Sequence, residues 1–161
     1  MNASRVTNNL YNTYLRAGFE VEQPSDTKHF FCIRSNSQHA DLVPYIFMRI
    51  SPNGVLVFAS AETAEVTDKF NCSVDDLAYA LSIKTPQTCK SRINIEVKES
   101  QIVAHTMIKL GFFSSITSIY NRTYDAMIDI QVAFSFVESE IAFRSWSNKI
   151  FKRTNRNGKG R

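Results

Sequence analysis

Apolar positions recur along the chain with two different periods, and the switches between them divide it into helices and strands. Val6, Leu10, Tyr14 and Ala17 stand three or four residues apart, with Asn8, Asn9, Asn12 and Arg16 between them. That spacing gathers the apolar set on one side of a helix from about Ser4 to Ala17. Ser4 is placed to cap it, and Gly18 stands where a left-handed ending is wanted. Phe19 and Val21 then begin a short extended piece that Pro24 closes.

The period next falls to two. Lys28 to Arg34 reads as a strand, with Phe31 and Ile33 on one side and Phe30 and Cys32 on the other. A polar turn over 35–41 leads to a second strand, Val43 to Ile50, whose Pro44 suits a strand beginning or an edge. Ser51-Pro52-Asn53-Gly54 is a turn: proline pre-sets its second position and Asn-Gly readily supplies positive φ. Val55-Leu56-Val57-Phe58-Ala59 follows at once, so the two strands are expected to form a hairpin.

Ser73-Val74-Asp75-Asp76 opens a second helix, with a serine cap and Asp76 at the capping-box position. Adjacent helix residues do not face each other, so the two aspartates read as helix-start chemistry and not as a catalytic pair. Arg92 to Lys98 alternates strictly and predicts a strand with one wet face. Glu99-Ser100 turns the chain into its partner, whose inward row is Ile102, Ala104, Thr106, Ile108 and Leu110; His105 falls on the other face with Val103 and Met107. Tyr120, Thr123, Met127, Ile130, Phe134, Val137, Ile141 and Arg144 then mark a heptad stripe on a last helix from about Ser115 to Ile150. A second strip of Ile116, Tyr124, Ile128, Phe136 and Phe143 widens its apolar face. A helix of this length outruns one small domain, so it should break or have its far end covered. Met127, Ile130, Phe134, Val137 and Ile141 are therefore candidates for self-association.

The order expected is α-β-β-β-α-β-β-α. That is an α+β fold, an antiparallel sheet with helices packed on one face and a long C-terminal helix. At 161 residues and 43% hydrophobic, with twelve Phe and six Tyr, the chain has material for one core. We expect a single domain over 1–151 and a disordered basic tail over 152–161.

Charge sharpens that boundary. From Ile141 onward the chain has seven basic residues and no acidic one. Of its 19 basic residues, 12 thus remain against 15 acidic in the body, which is −3 while the tail is +7. Lys149, Lys152, Arg153, Arg156, Lys159 and Arg161 are candidate contacts for an anionic partner such as RNA or DNA. The same residues also suit helix capping and solubility.

Chemistry-bearing motifs are absent. There is no Gly-x-Gly-x-x-Gly, no phosphate-cradling Gly-Lys-Ser/Thr loop and no Gly-x-Ser-x-Gly elbow. Cys32, Cys72 and Cys89 are odd in number and stand far apart, with no Cys-x-x-Cys pair among them, which argues against a disulfide framework and a zinc site. No apolar signal core opens the chain, and no apolar run approaches a membrane span. The expectation is a cytoplasmic protein that is not an enzyme, holds no cofactor or metal, and does not bind membranes.

The opening helix ending at Gly18-Phe19, the strand pair Phe47-Met48-Arg49-Ile50-Ser51-Pro52-Asn53-Gly54-Val55-Leu56-Val57-Phe58, and the helix, hairpin and closing helix that follow resemble a known fold. It is that of type III secretion chaperones and of the YbjN-like family of small bacterial proteins. The resemblance covers about residues 4 to 145. It implies a non-enzymatic homodimer that binds another polypeptide along a sheet or helix surface, chaperone-like or adaptor-like. Secretion chaperones are acidic, whereas this chain has a pI of 9.0. The −3 body softens that departure, and the tail keeps a nucleic-acid-associated role as the alternative.

Overall fold

A computed structural model of the chain describes residues 2–35, 43–82, 91–98, 100–111 and 114–157, the side chains of 81–82 and 148–157 excepted. The first helix is α1 (Ala3–Arg16), which buries Val6, Thr7, Leu10 and Tyr14. Its cap is Asn2 and not Ser4. The Asn2 side-chain oxygen accepts from the backbone N–H of Ser4 at 3.0 Å and of Arg5 at 3.4 Å, so Ser4 already lies in the first turn. Gly18, with φ of +88°, supplies the left-handed ending.

Four strands follow: β1 (Val21–Glu22), β2 (Phe30–Arg34), β3 (Tyr45–Ser51) and β4 (Gly54–Glu62). The polar turn expected over 35–41 lies outside the described residues except for Ser35. The β3–β4 hairpin forms as expected, with Ser51 paired to Gly54 across a Pro52-Asn53 turn. The reason for its glycine differs from the expectation. Among the described residues only Gly18 and Asn71 have positive φ. At Gly54 a Cβ would stand 2.6 Å from the Ile108 carbonyl oxygen and 3.0 Å from Met107 Sδ. Close approach of the neighbouring strand, and not turn geometry, excludes a side chain there.

After β4 comes α2 (Thr63–Phe70), which the sequence pattern does not predict. It is eight residues long and buries only Val66, and its Glu62 cap makes no side-chain hydrogen bond, so neither periodicity nor a capping signature announces it. Asn71, at φ +45°, turns the chain into α3 (Val74–Ser82). The capping box expected there is present. Ser73 Oγ accepts from the Asp76 N–H at 3.1 Å, and the Asp76 carboxylate accepts from the Ser73 N–H at 3.2 Å and hydroxyl at 2.8 Å.

The chain closes with β5 (Asn94–Lys98), β6 (Gln101–Lys109) and α4 (Ile116–Asn157). Glu99, half of the turn between the two strands, is outside the described residues. All six strands form one open antiparallel sheet in the order β1-β2-β3-β4-β6-β5. The fold is thus α+β, with the short extended piece after α1 joining the sheet as β1 and with α2 added to the expected order.

The core lies on one side of this sheet. Phe31, Ile33, Ile46, Met48, Val55, Val57, Ala59, Ile102, Ala104 and Ile108 face it, together with the buried sides of α1 and α4. Tyr14 joins the layers. Its ring stands 4.8 Å from that of Tyr120, and its hydroxyl shares a 2.8 Å hydrogen bond with Thr123 Oγ1 of α4.

The structure places the residues singled out along α4. Met127, Ile130, Phe134, Val137 and Ile141, the candidates for self-association, are all buried against the chain's own sheet and helices. In this conformation they offer no surface to a second copy. Of the two outcomes expected for so long a helix, a break or a covered far end, the first does not occur: its 42 residues run about 63 Å at ~1.5 Å per residue. Its backbone continues through residues 152–157, which were expected to begin a disordered tail.

Candidate functional site

Strand side chains alternate between faces, so every residue pointing into the core has neighbours pointing away from it. The register aligns those outward residues in rows across the sheet. One row runs Cys32, Phe47, Phe58, His105, Asn94. The next runs Phe30, Arg49, Leu56, Met107. A third carries Ser60, Val103 and Glu96.

The centre of this face is aromatic. Phe47 and Phe58 pair directly, with ring centroids 5.2 Å apart and planes 25° apart. Phe30, diagonal to Phe47, stacks on it at 5.7 Å and 17° and lies 6.3 Å from Phe58. All three are half-buried, and none of them packs against the core cluster. Among the described residues they pack on one another. Met107, beside them, is 52% exposed.

Charge rims the aromatic centre. Glu96 Oε1 is 2.8 Å from Lys98 Nζ and 3.0 Å from His105 Nε2. The Lys98 ammonium first, and the His105 ring after it, hold the Glu96 carboxyl below its ordinary range. Arg34 pairs with Glu20 at 3.1 Å at the other end. Cys32 shares the Phe47 row but is only 7% exposed and donates to the Glu22 carbonyl at 3.6 Å. Burial pushes its thiol up, which makes it a poor source of thiolate. The arrangement can bind apolar or flat groups and orient them by its charged rim.

Elsewhere, an open depression of about 460 Å³ is lined by Tyr11, Gln23, Pro24, Ser25, Thr27 and Lys28, with no carboxylate, histidine or cysteine among them. Among the described residues no group of three or more His, Cys, Asp and Glu is placed to hold a metal ion. None of the helices among them is long and apolar enough to cross a membrane.

Of the residues singled out from the sequence, Lys149, Lys152, Arg153 and Arg156 lie on α4, but their side chains are outside the description, as are Lys159 and Arg161. The phenylalanine stack was missed as a site. Its signal was present in Phe30, Phe47 and Phe58 at outward positions, where a strand with one wet face carries polar residues.

What the fold defines as a class is an open antiparallel sheet with helices on one face and a long closing helix. No family model matches the chain, and no curated protein matches it. Among solved structures it is similar to YbjN from E. coli, a proposed transcription regulator. The likeness has 12% identity and a TM-score of 0.52 and covers 83% of this chain and 89% of that one. At that identity it is a likeness of fold, and it agrees with the YbjN-like topology.

Proposed function

We propose that the protein is a non-catalytic binding module that takes a segment of another polypeptide on the uncovered face of its sheet, and that it works as a homodimer in an adaptor-like or chaperone-like role. The observation that carries this reading is the Phe30–Phe47–Phe58 stack left open on a sheet whose other face holds the core. Half-exposed aromatics on one flat surface gain free energy when a partner removes them from water, about 25 cal/mol per Å². The charged rim then sets which segments fit. A cytoplasmic location agrees with the free thiols of Cys32 and Cys72.

Random twelve-residue peptides displayed on phage and selected against the wild-type protein supply the probe. The selected peptides should be rich in apolar and aromatic residues. Their affinity should fall at least tenfold, about 1.4 kcal/mol, in a Phe47→Ala/Phe58→Ala variant that keeps its far-ultraviolet dichroism. Equal binding by that variant would contradict the reading.

A second reading rests on the seven basic residues from Ile141 onward, which no acid offsets. It makes the C-terminal end a clamp for RNA or DNA phosphates. Removing 152–161 should then weaken binding of a labelled oligonucleotide and flatten its salt dependence; unchanged affinity and slope would dismiss it.

A further inference from the structure

The core-facing side of α4 is apolar, and so is the side that faces away. Between Ala126 and Val137 the one charged residue is Asp129, which is buried and accepts the Ser91 backbone N–H at 2.6 Å. A helix apolar all round is ordinarily covered all round. Yet Tyr124 is 36% exposed, Ile128 and Val132 are each 39%, Phe143 is 63% and Trp146 is 60%. The last two rings stand 6.2 Å apart and make a ridge at the far end.

The order of side chains on this outer side is informative. Ile128, Val132, Ser135, Ser139, Ala142 and Trp146 follow one another at spacings of four and three, a heptad row roughly opposite the buried one. The row reads the same way from either end about position 137: large groups outside, small ones at the centre. A surface of that kind is complementary to itself under a two-fold axis.

We infer that the outer side of α4 is the interface with a second copy of this chain, the two helices packed antiparallel and crossing at Ser135 and Ser139. This deepens the homodimer part of the proposed function and is independent of what the sheet face binds. In that register Ile128 of one copy meets Trp146 of the other. Val132 meets Ala142 and Phe143, and the two serines let the backbones approach. None of the six row positions is charged, so pairing desolvates no ion. Stable interfaces bury about 1,200 Å² or more in all, and the exposed Tyr124, Ile128, Val132, Phe143 and Trp146 supply the apolar part of it. Charge favours the antiparallel arrangement: parallel helices would set two +7 ends side by side, whereas antiparallel ones hold them at opposite ends of the pair.

Light scattering on the eluting full chain from ~1 to 100 µM is the test. The wild type should have twice the 18.3 kDa chain mass. Ser139→Arg and Trp146→Ser should each weaken the dimer at least tenfold with unchanged dichroism, while Met107→Lys on the sheet face leaves it intact. Mixing Ser135→Cys with Ser139→Cys copies should give a cross-linked heterodimer above the wild-type background. A parallel pair would instead cross-link each variant to itself. A strictly monomeric wild type would overturn both the homodimer and this interface. A dimer that survives both substitutions and forms no mixed cross-link keeps the homodimer and overturns the interface.

Discussion

Tyr14 is buried, and only its hydroxyl distinguishes it from a plain core aromatic. That hydroxyl is satisfied by Thr123 Oγ1, which in turn donates to the Tyr120 carbonyl at 2.9 Å. Tyr14→Phe should cost about 1 kcal/mol in denaturant unfolding. Thr123→Val should cost more, ~1–3 kcal/mol, because it leaves a buried hydroxyl unpaired. Burial also pushes the Tyr14 phenol well above its usual value of 10. A raised folded-state value gives stability that is complete below pH 10 and is lost as pH rises beyond it. Midpoints measured from pH 8 to 12 should therefore fall above 10, and less steeply in Tyr14→Phe. Gly54 is a second such residue. The atom a Cβ would strike is a backbone oxygen, which cannot swing away, so Gly54→Ala should cost ~1–3 kcal/mol through overpacking. An unchanged midpoint would show that β6 yields more readily than its pairing with β4 implies.

At the scale of elements, α3 is held by its start and by α4. Asp76 closes the capping box with Ser73 and also accepts from Arg144 Nε, while the Arg144 guanidinium lies 4.1 Å over the Tyr79 ring. The Ser73 hydroxyl first, and Arg144 after it, hold the Asp76 carboxyl below its usual range. A lowered folded-state value gives stability that is present above about pH 4 and is lost as pH falls through it. Acid unfolding of Arg144→Ala should show a shallower loss below pH 4 than the wild type. Ser73→Ala should cost about 1 kcal/mol at neutral pH. The start of α3 was legible because Ser-x-x-Asp is a local signal. The β3–β4 hairpin was legible for the same reason, although Gly54 answers to a strand more than fifty residues away. α2 was not legible, since one buried valine makes no period. Heptad spacing located the buried row of α4 but could not say whether its cover was the chain's own sheet or another copy.

At the scale of the whole molecule, the outer face of the sheet is a surface that no local pattern could assemble. The pairing of β4 with β6 spans α2, α3 and β5, and it brings Met107 and His105 beside residues of the hairpin. Only once the sheet order is known do Phe30, Phe47 and Phe58 share a face, and only then is that face seen to lie opposite the core. The outer side of α4 lies across the molecule from it, so a pair of copies joined there would present two sheet faces, each open to a partner. The proposed function depends on the open sheet face binding a partner. Nuclear magnetic resonance of the labelled protein titrated with a selected peptide tests it most directly. The ring signals of Phe30, Phe47 and Phe58 and the Met107 methyl should move together and saturate with the binding curve. Movement confined to α4, or to the depression around Tyr11 and Lys28, with those four residues unchanged, would contradict it.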